Sequence, residues 1–253
     1  MKISKDHPRY RSLVTRERMA AMVDDGIVST TGLIAHGRGE AFDYLLGEVT
    51  VPEADLAERT AAALLLSAKR PVITINGNAA ALAAKELGDL ARATGAQIEI
   101  NLFHRSEERL MKVCDLVERE TGLKVLGREQ DAVLDGIASE RARCTSQGLL
   151  SADVVLIPLE DGDRAEAMAK VGKKVISIDL NPLSRTTLAA DVAVVDELTR
   201  AVPNITRWAN GLKGRPQETK GVLSAFNNQE NLAAVMRRMV QGLEKGTADR
   251  SER

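Results

Sequence analysis

The chain has 253 residues, of which 44% are hydrophobic but only 2% are aromatic, so its core depends on Ala, Leu, Val and Ile. The 35 basic and 36 acidic residues nearly cancel, and aromatic platforms for base stacking are scarce, which argues against a nucleic-acid partner. No apolar run approaches membrane-spanning length, and the N-terminus lacks the apolar stretch of a signal peptide. Cys114 and Cys144 form no disulfide or zinc pattern, so we expect a cytoplasmic protein without a membrane partner.

Residues 1–70 are charge-rich and predict a mainly helical N-terminal segment. Within it, Thr15 is the expected N-cap of a helix, with Arg16 in the first turn. Arginine is poorly placed there because the N-terminal end of a helix carries positive charge. A residue that breaks a local rule indicates a functional site, although a solvated run of surface charge is the more common explanation. The last helix of this segment is predicted over Glu53–Lys69.

The segment 30–48, TTGLIAHGRGEAFDYLLGE, combines four glycines with an arginine and three acids. Arg38 lies between Gly37 and Gly39, so little neighbouring bulk shields its guanidinium, which suits a group that binds phosphate. Glycine also lets the backbone approach a ligand closely. The alternative is a helix entry with glycine turns and a solvated arginine, and the local chemistry does not decide between the two.

Short apolar runs alternate with longer amphipathic runs through the rest of the chain. The apolar runs predict five buried strands: Val72–Asn76, Gln97–Leu102, Asp153–Leu159, Lys174–Leu180 and Val192–Val195. The amphipathic runs predict four further helices: Ala79–Thr94, Ser106–Thr121, Asp163–Val171 and Gln229–Lys245. Because several strands are almost continuously apolar, the pattern predicts an α/β fold with a doubly wound parallel sheet covered on both faces. We expect residues 1–253 to form a single domain, with residues 246–253 as a frayed tail.

Ligands of doubly wound sheets bind beyond the carboxyl ends of the strands, so the strand ends are the candidate sites. The first strand ends in Asn76-Gly77-Asn78, which is neither a GxGxxG fingerprint nor a Walker A loop. Asn78 is the expected N-cap of the following helix, and a capping side chain can also contact a substrate. Asp163 followed by Glu166 resembles a capping box at another helix start.

The second strand is followed by His104 and Arg105, directly before Ser106 as the expected N-cap of a helix. A cation, a helix dipole and backbone amides converge there, which makes both residues candidates for binding an anionic substrate. The alternative is a solvated loop in which Arg105 pairs with Glu107 or Glu108.

The segment 179–187, DLNPLSRTT, follows the strand at Lys174–Leu180. An acid at a strand end, here Asp179, is the usual way to bind ribose hydroxyls. The polar loop adds hydroxyls, amides and Arg185, which favours a nucleotide site. The alternative is a turn in which Asp179 and Asn181 satisfy backbone groups.

Three segments together resemble one known family, the archaeal phosphopantothenate synthetases, also called 4-phosphopantoate–β-alanine ligases. They are residues 7–17, with His7-Pro8-Arg9-Tyr10 and Thr15-Arg16-Glu17, residues 32–48, and residues 179–186. Residues 76–78, 101–109 and 200–204 give supporting matches. The resemblance implies a homodimer with a Rossmann-like core. It also implies that ATP is cleaved to AMP and diphosphate while 4-phosphopantoate is joined to β-alanine, on the route to coenzyme A.

The resemblance also implies where ATP binds, and Mg²⁺ is the cofactor expected to neutralise its triphosphate. The resemblance places the ATP contacts on Arg16, Arg38, Asp179, Leu180, Asn181, Arg185, Thr186, Glu197 and Leu198. Two positions depart from the family pattern, because Glu197 stands where Asn is expected and His36 where Gln is expected. The substrate-binding candidates are Asn78, His104 and Arg105, whereas the metal ligands and the base that deprotonates β-alanine are not identified.

Two other functional classes remain open at the level of the sequence. A nucleotide-dependent dehydrogenase would need a fuller glycine fingerprint after the first strand than residues 76–78 supply. A non-catalytic nucleotide-binding protein would keep the cleft and lack the chemistry. HExxH and CxxC spacings and a nucleophile elbow are absent from the sequence, which argues against a zinc enzyme or a serine hydrolase.

Overall fold

The computed structural model describes residues 3–7, 9–137 and 142–251 of the chain, with side chains up to residue 244. Three helices come first and confirm the helical N-terminal segment: α1 (Tyr10–Asp24), α2 (Thr30–Leu46) and α3 (Pro52–Ser67). No helix in the described ranges combines the length and the apolar character needed to cross a bilayer.

Strands and helices then alternate as the apolar pattern predicts. They are β1 (Pro71–Ile75), α4 (Gly77–Thr94), β2 (Gln97–Ile100), α5 (Glu107–Thr121), β3 (Ala132–Val133), β4 (Arg143–Cys144), β5 (Val154–Pro158), α6 (Gly162–Lys170), β6 (Lys174–Ile178), α7 (Arg185–Ala189) and β7 (Val192–Val194). Three helices complete the chain: α8 (Leu198–Leu212), α9 (Pro216–Ala225) and α10 (Asn228–Ser251). The antiparallel pair β3–β4 and a π-helical turn over Ser146–Leu150 were not predicted.

The main sheet has the order β2-β1-β5-β6-β7, and all of its strands are parallel. Its inner strands β1 and β5 are buried throughout, which explains why they are continuously apolar. Separate hydrophobic clusters pack on the two faces of the sheet. The predicted α/β fold with a doubly wound, Rossmann-like sheet is therefore confirmed. The strand order reverses between β1 and β5, and this switch point is where such sheets bind ligands.

Three predicted helix caps are wrong. Thr15 lies inside α1, so Arg16 is not in a first turn. Asn76, not Asn78, caps α4, because its side chain accepts a hydrogen bond from the backbone N–H of Ala79 at 3.0 Å. Asp163 is already inside α6, which begins at Gly162. The predicted cap at Ser106 is confirmed by its hydrogen bond from the Arg109 N–H.

Among the C-terminal helices, α8 was not predicted and α10 is longer than predicted. α8 begins at Leu198, is capped by the side chain of Glu197 and carries Pro203 in its interior. α10 continues to Ser251, beyond the predicted end at Lys245. The last two residues of the expected frayed tail, 252 and 253, lie outside the described part of the chain.

Candidate functional site

A cleft opens where β1, β5, β6 and β7 end, at the switch point of the sheet. We call it the switch-point cleft, and its enclosed volume is about 130 Å³. Its walls come from α2, the start of α4 and the loops after β5, β6 and β7. Six of the predicted site residues line it: Arg38, Asn78, Asp179, Leu180, Glu197 and Leu198.

The base of the cleft is tied together across the switch point by Asn76. Its side-chain amide donates hydrogen bonds to the carbonyl oxygens of Pro158 (3.2 Å) and Leu159 (2.9 Å), while its oxygen caps α4. Leu159 has φ of 51°, a left-handed conformation that bulky residues rarely adopt. Such backbone strain is concentrated at functional sites, and here it turns the chain from β5 into the wall of the cleft.

Helix α2 is drawn against the cleft by a close contact between Gly32 and Asn78. The Asn78 amide donates to the Gly32 carbonyl oxygen at 2.8 Å. A Cβ on Gly32 would lie 2.5 Å from the Asn78 side-chain oxygen, so the contact requires glycine. Asn78 therefore positions the helix that carries Arg38.

The openness that the sequence predicts around Arg38 is confirmed. A Cβ built on Gly37 or on Gly39 would meet no atom within 4 Å, and the Arg38 side chain is exposed. Its guanidinium lies near Asp179 on the opposite wall. Burial raises the pKa of that carboxyl, and the positive charge of Arg38 offsets part of the rise. A cation thus reaches over the cleft from α2.

Two acids on the opposite wall are held by their own loops. Asp179 accepts a hydrogen bond from the Asn181 N–H at 2.9 Å, and Glu197 accepts one from the Thr199 N–H at 2.8 Å. Burial raises the pKa of both carboxyls above their ordinary values, more than their hydrogen bonds and the nearby arginines lower it. Burial therefore opposes ionisation of both acids, while the hydrogen bonds favour it.

The other predicted ATP contacts do not line the cleft. Arg16 donates to Glu40 at 2.9 Å and to the Tyr44 hydroxyl at 2.6 Å. Arg185 donates to both carboxylate oxygens of Glu166 at 2.9 Å.

Thr186 and Asn181 serve the loop after β6. Thr186 is buried and donates to the Glu160 carbonyl oxygen at 2.8 Å. The Asn181 side chain accepts from the Leu183 N–H at 2.9 Å. Contacts of these residues with ATP stay predictions.

The tentative substrate residues His104 and Arg105 lie on the loop after β2, at the edge of the sheet. His104 is exposed, and its carbonyl oxygen accepts from Arg109. Arg105 pairs with Glu107 at 2.8 Å, as the alternative interpretation of the sequence expected. Neither residue lines the switch-point cleft, so of the three tentative substrate residues only Asn78 does.

Sequence analysis missed an ion pair below the cleft. Glu160 lines the cleft, and Arg164, which is fully buried, donates to it at 2.7 Å. Nε and Nη2 of Arg164 have no hydrogen-bond partner in the described part of the chain. Glu160 follows the strand predicted over Asp153–Leu159, so the strand-end rule could have found it.

A second cavity adjoins the switch-point cleft, and we call it the N-terminal cavity. Its volume is about 310 Å³, and its walls come from Lys5, from residues between 9 and 15, from α2 and from the start of α8. His36, Leu180 and Glu197 line both spaces, so the two share a wall. Within the described residues, no group of three or more His, Cys, Asp or Glu is placed to hold a metal ion by itself.

Comparisons with known proteins agree with this geometry. Residues 53–242 match the family model described as phosphopantothenate/pantothenate synthetase. A protein of Methanospirillum hungatei named 4-phosphopantoate–β-alanine ligase is 54% identical over 83% of this chain and 86% of its own length. Proteins of the same name from Methanosarcina mazei and Thermococcus onnurineus are 46% and 44% identical, over 98% and 93% of this chain and 98% and 91% of their own lengths. The dehydrogenase and the non-catalytic alternatives find no support in these relatives. The chain therefore belongs to the phosphopantothenate/pantothenate synthetase family.

Proposed function

We propose that this protein is an ATP-dependent ligase that condenses 4-phosphopantoate with β-alanine. The products are 4-phosphopantothenate, AMP and diphosphate, and the reaction belongs to coenzyme A biosynthesis. The observation that carries the proposal is the similarity to relatives of this one name, which are 54% and 46% identical over 83% and 98% of the chain. The cleft at the switch point supplies the site.

The switch-point cleft suits a nucleotide. Asp179 and Glu197 supply oxygen acceptors for ribose hydroxyls at the ends of β6 and β7, and Arg38 supplies a guanidinium for the phosphates. Arg16, Asn181, Arg185 and Thr186 are proposed as further ATP contacts. For Arg185 this requires exchange of Glu166 for a phosphate, which its exposed side chain permits.

Magnesium is proposed as the partner of the triphosphate. Mg²⁺ prefers oxygen ligands and is commonly held by one or two carboxylates together with substrate phosphates. The carboxylates that line the cleft fit this donor set: Glu160, Asp161, Asp179 and Glu197. Bound there, Mg²⁺ would neutralise phosphate charge.

The chemistry proceeds in two steps. An oxygen of the phosphopantoate carboxylate attacks the α-phosphorus of ATP, the bond to the bridging oxygen breaks, and diphosphate leaves. The neutral amine of β-alanine then attacks the acyl carbon of the resulting acyl-adenylate, loses a proton, and AMP leaves. The protein contributes mainly in two ways. The shared wall between the two cavities positions the reactants, and Arg38 stabilises negative charge.

A product assay tests the proposal. Purified protein with ATP, Mg²⁺, 4-phosphopantoate and β-alanine should yield 4-phosphopantothenate and AMP in equal amounts. Release of ADP and phosphate would instead indicate an acyl-phosphate and refute the adenylate. The family description includes pantothenate synthetase, so pantoate is run in parallel. Thermal shift with ATP, NAD and NADP should show a preference for ATP.

We also propose that the protein acts as a homodimer, as the resemblance implies, and in the cytoplasm, as the cysteine content led us to expect. Light scattering coupled to size-exclusion chromatography should give twice the chain mass of 27.3 kDa. A mass of one chain in active enzyme would refute the dimer.

A further inference from the structure

The N-terminal cavity has the size and the position of a second substrate site. Its volume of about 310 Å³ lies at the lower end of the roughly 300–1,000 Å³ range of small-molecule sites. It adjoins the switch-point cleft along the wall formed by His36, Leu180 and Glu197. A carboxylate that attacks the α-phosphorus of ATP must approach from a space that adjoins the nucleotide, and this cavity meets that requirement.

The arginines of the inner part of the cavity are already paired with carboxylates. Arg200 donates to Asp43 at 2.6 Å and to Asp196 at 2.9 Å, and its side chain is only 13% exposed. Arg9 pairs with Glu40 and Glu48, each at 3.3 Å. Because each of these arginines has two carboxylate partners, the inner part offers no free positive charge to a ligand.

The outer end is different, because it carries two cations without acidic partners. Lys5 and Arg11 line the cavity and are exposed, and neither makes an ion pair with any residue that the structure describes. The N-terminus of α1, at Tyr10, lies between them in the sequence, without a side-chain cap and without an acid in its first turn. Two free cations and a positive helix end favour a ligand whose outer end is a dianion.

The shared wall offers a partner for an uncharged polar group. Nε2 of His36 is buried and has no hydrogen-bond partner in the described ranges. Burial lowers the pKa of this imidazole, so it is neutral near pH 7. A buried ring nitrogen without a partner is costly, and a ligand hydroxyl at this wall would satisfy it.

We propose that the N-terminal cavity binds the phosphorylated acid substrate, with its phosphate between Lys5 and Arg11 and its carboxylate at the wall shared with the switch-point cleft. This assignment rests on the proposed function. It makes Lys5 and Arg11 the residues that discriminate 4-phosphopantoate from pantoate, because only the phosphorylated acid occupies both ends of the cavity. Arg105 is the other candidate for this role, but it lies on the loop after β2 and lines neither cavity.

The test compares Lys5→Ala, Arg11→Ala and the double variant with the parent enzyme. Turnover with saturating ATP and β-alanine gives kcat/KM for 4-phosphopantoate and for pantoate. Loss of one charge-assisted hydrogen bond should lower kcat/KM for the phosphorylated acid by about 10- to 100-fold, with little change for pantoate. Lys124→Ala and Arg237→Ala remove exposed cations far from both cavities in the chain and should keep the parent ratio.

Calorimetric titration with 4-phosphopantoate separates this inference from the proposed reaction. Weaker binding by the double variant supports the site even if no AMP is formed, whereas absence of AMP from the parent enzyme refutes the reaction. An unchanged preference for 4-phosphopantoate and unchanged binding would place the phosphate elsewhere. A rise confined to the KM of β-alanine would assign the cavity to β-alanine, and equal losses for both acids would show a merely structural role.

Discussion

Replacing Gly39 by alanine should affect stability and ATP binding in opposite directions. Gly39 lies in the interior of α2 and lines the switch-point cleft, and a Cβ there would meet no atom within 4 Å. Alanine is more favourable than glycine in a helix interior by about 1 kcal/mol. In a chain of this size that gain should raise the Tm by about 2–4 °C. The same methyl group would occupy space in the cleft, so ATP should bind more weakly.

Gly37→Ala is the matched control. Gly37 lies in the same helix with the same open space around its Cα, but it does not line the cleft. Both variants should therefore gain the same stability in differential scanning calorimetry without ligand. Only Gly39→Ala should lose ATP affinity in calorimetric titration. Equal ATP affinity in the two variants would show that the nucleotide does not lie against α2, and the assignment of Arg38 would fail with it.

Three further variants test the site and the core. Arg38→Ala should lower kcat/KM for ATP by about 10- to 150-fold, which corresponds to the roughly 1.5–3 kcal/mol of one charge-assisted hydrogen bond. An unchanged value would show that Arg38 is a solvated surface residue without a contact to ATP. Asp179→Ala should raise the KM of ATP more than that of β-alanine, and the reverse result would overturn the nucleotide assignment of this loop. Glu58 is fully buried, and burial together with the charge of Asp196 raises its pKa to about 10. Its folded-state pKa thus exceeds the ordinary 4.5, so its favourable contribution is complete below about pH 4.5 and is lost as the pH rises towards 10. The urea midpoint should therefore fall less with rising pH in Glu58→Gln than in Glu129→Gln, whose side chain is exposed and which serves as the control. Equal slopes of the midpoint against pH in the two variants would contradict a neutral Glu58.

The parallel sheet could be predicted because its strands are buried on both faces. The run 154–157, Val-Val-Leu-Ile, admits no alternation of polar residues, and all of β5 is buried. β3 and β4 could not be predicted in the same way, since each has two residues and leaves no periodicity to detect. The start of α8 was not predicted because Pro203 argues against a helix at this position, since proline is unfavourable in a helix interior. The helix begins before Pro203, at Leu198, and Glu197 is its N-cap.

The strand-end rule located two of the residues that line the cleft, Asn78 and Asp179. It selected Asp179 because the position after a parallel strand is set by topology, which the apolar pattern determines. Arg16 was selected because a cation in the first turn of a helix is unfavourable and suggests a function. The argument does not apply, since Arg16 lies in the middle of α1 and pairs with Glu40 from α2. The i, i+4 spacing of Glu160 and Arg164 permits an ion pair, but the complete burial of Arg164 gave no sequence signal because it depends on tertiary packing.

The two asparagines that flank Gly77 show where local chemistry stops being informative. Either could cap α4, and the sequence analysis chose Asn78. Long-range partners decide the matter: Asn76 bridges to Leu159 across the switch point, and Asn78 reaches Gly32 on α2. The choice of cap has a functional consequence. Because Asn78 does not cap α4, its side chain is free to bind α2 and holds that helix against the start of α4. The N-terminal helices supply Arg38 to one cavity and Arg11 to the other, so the helical segment completes the site instead of merely preceding it.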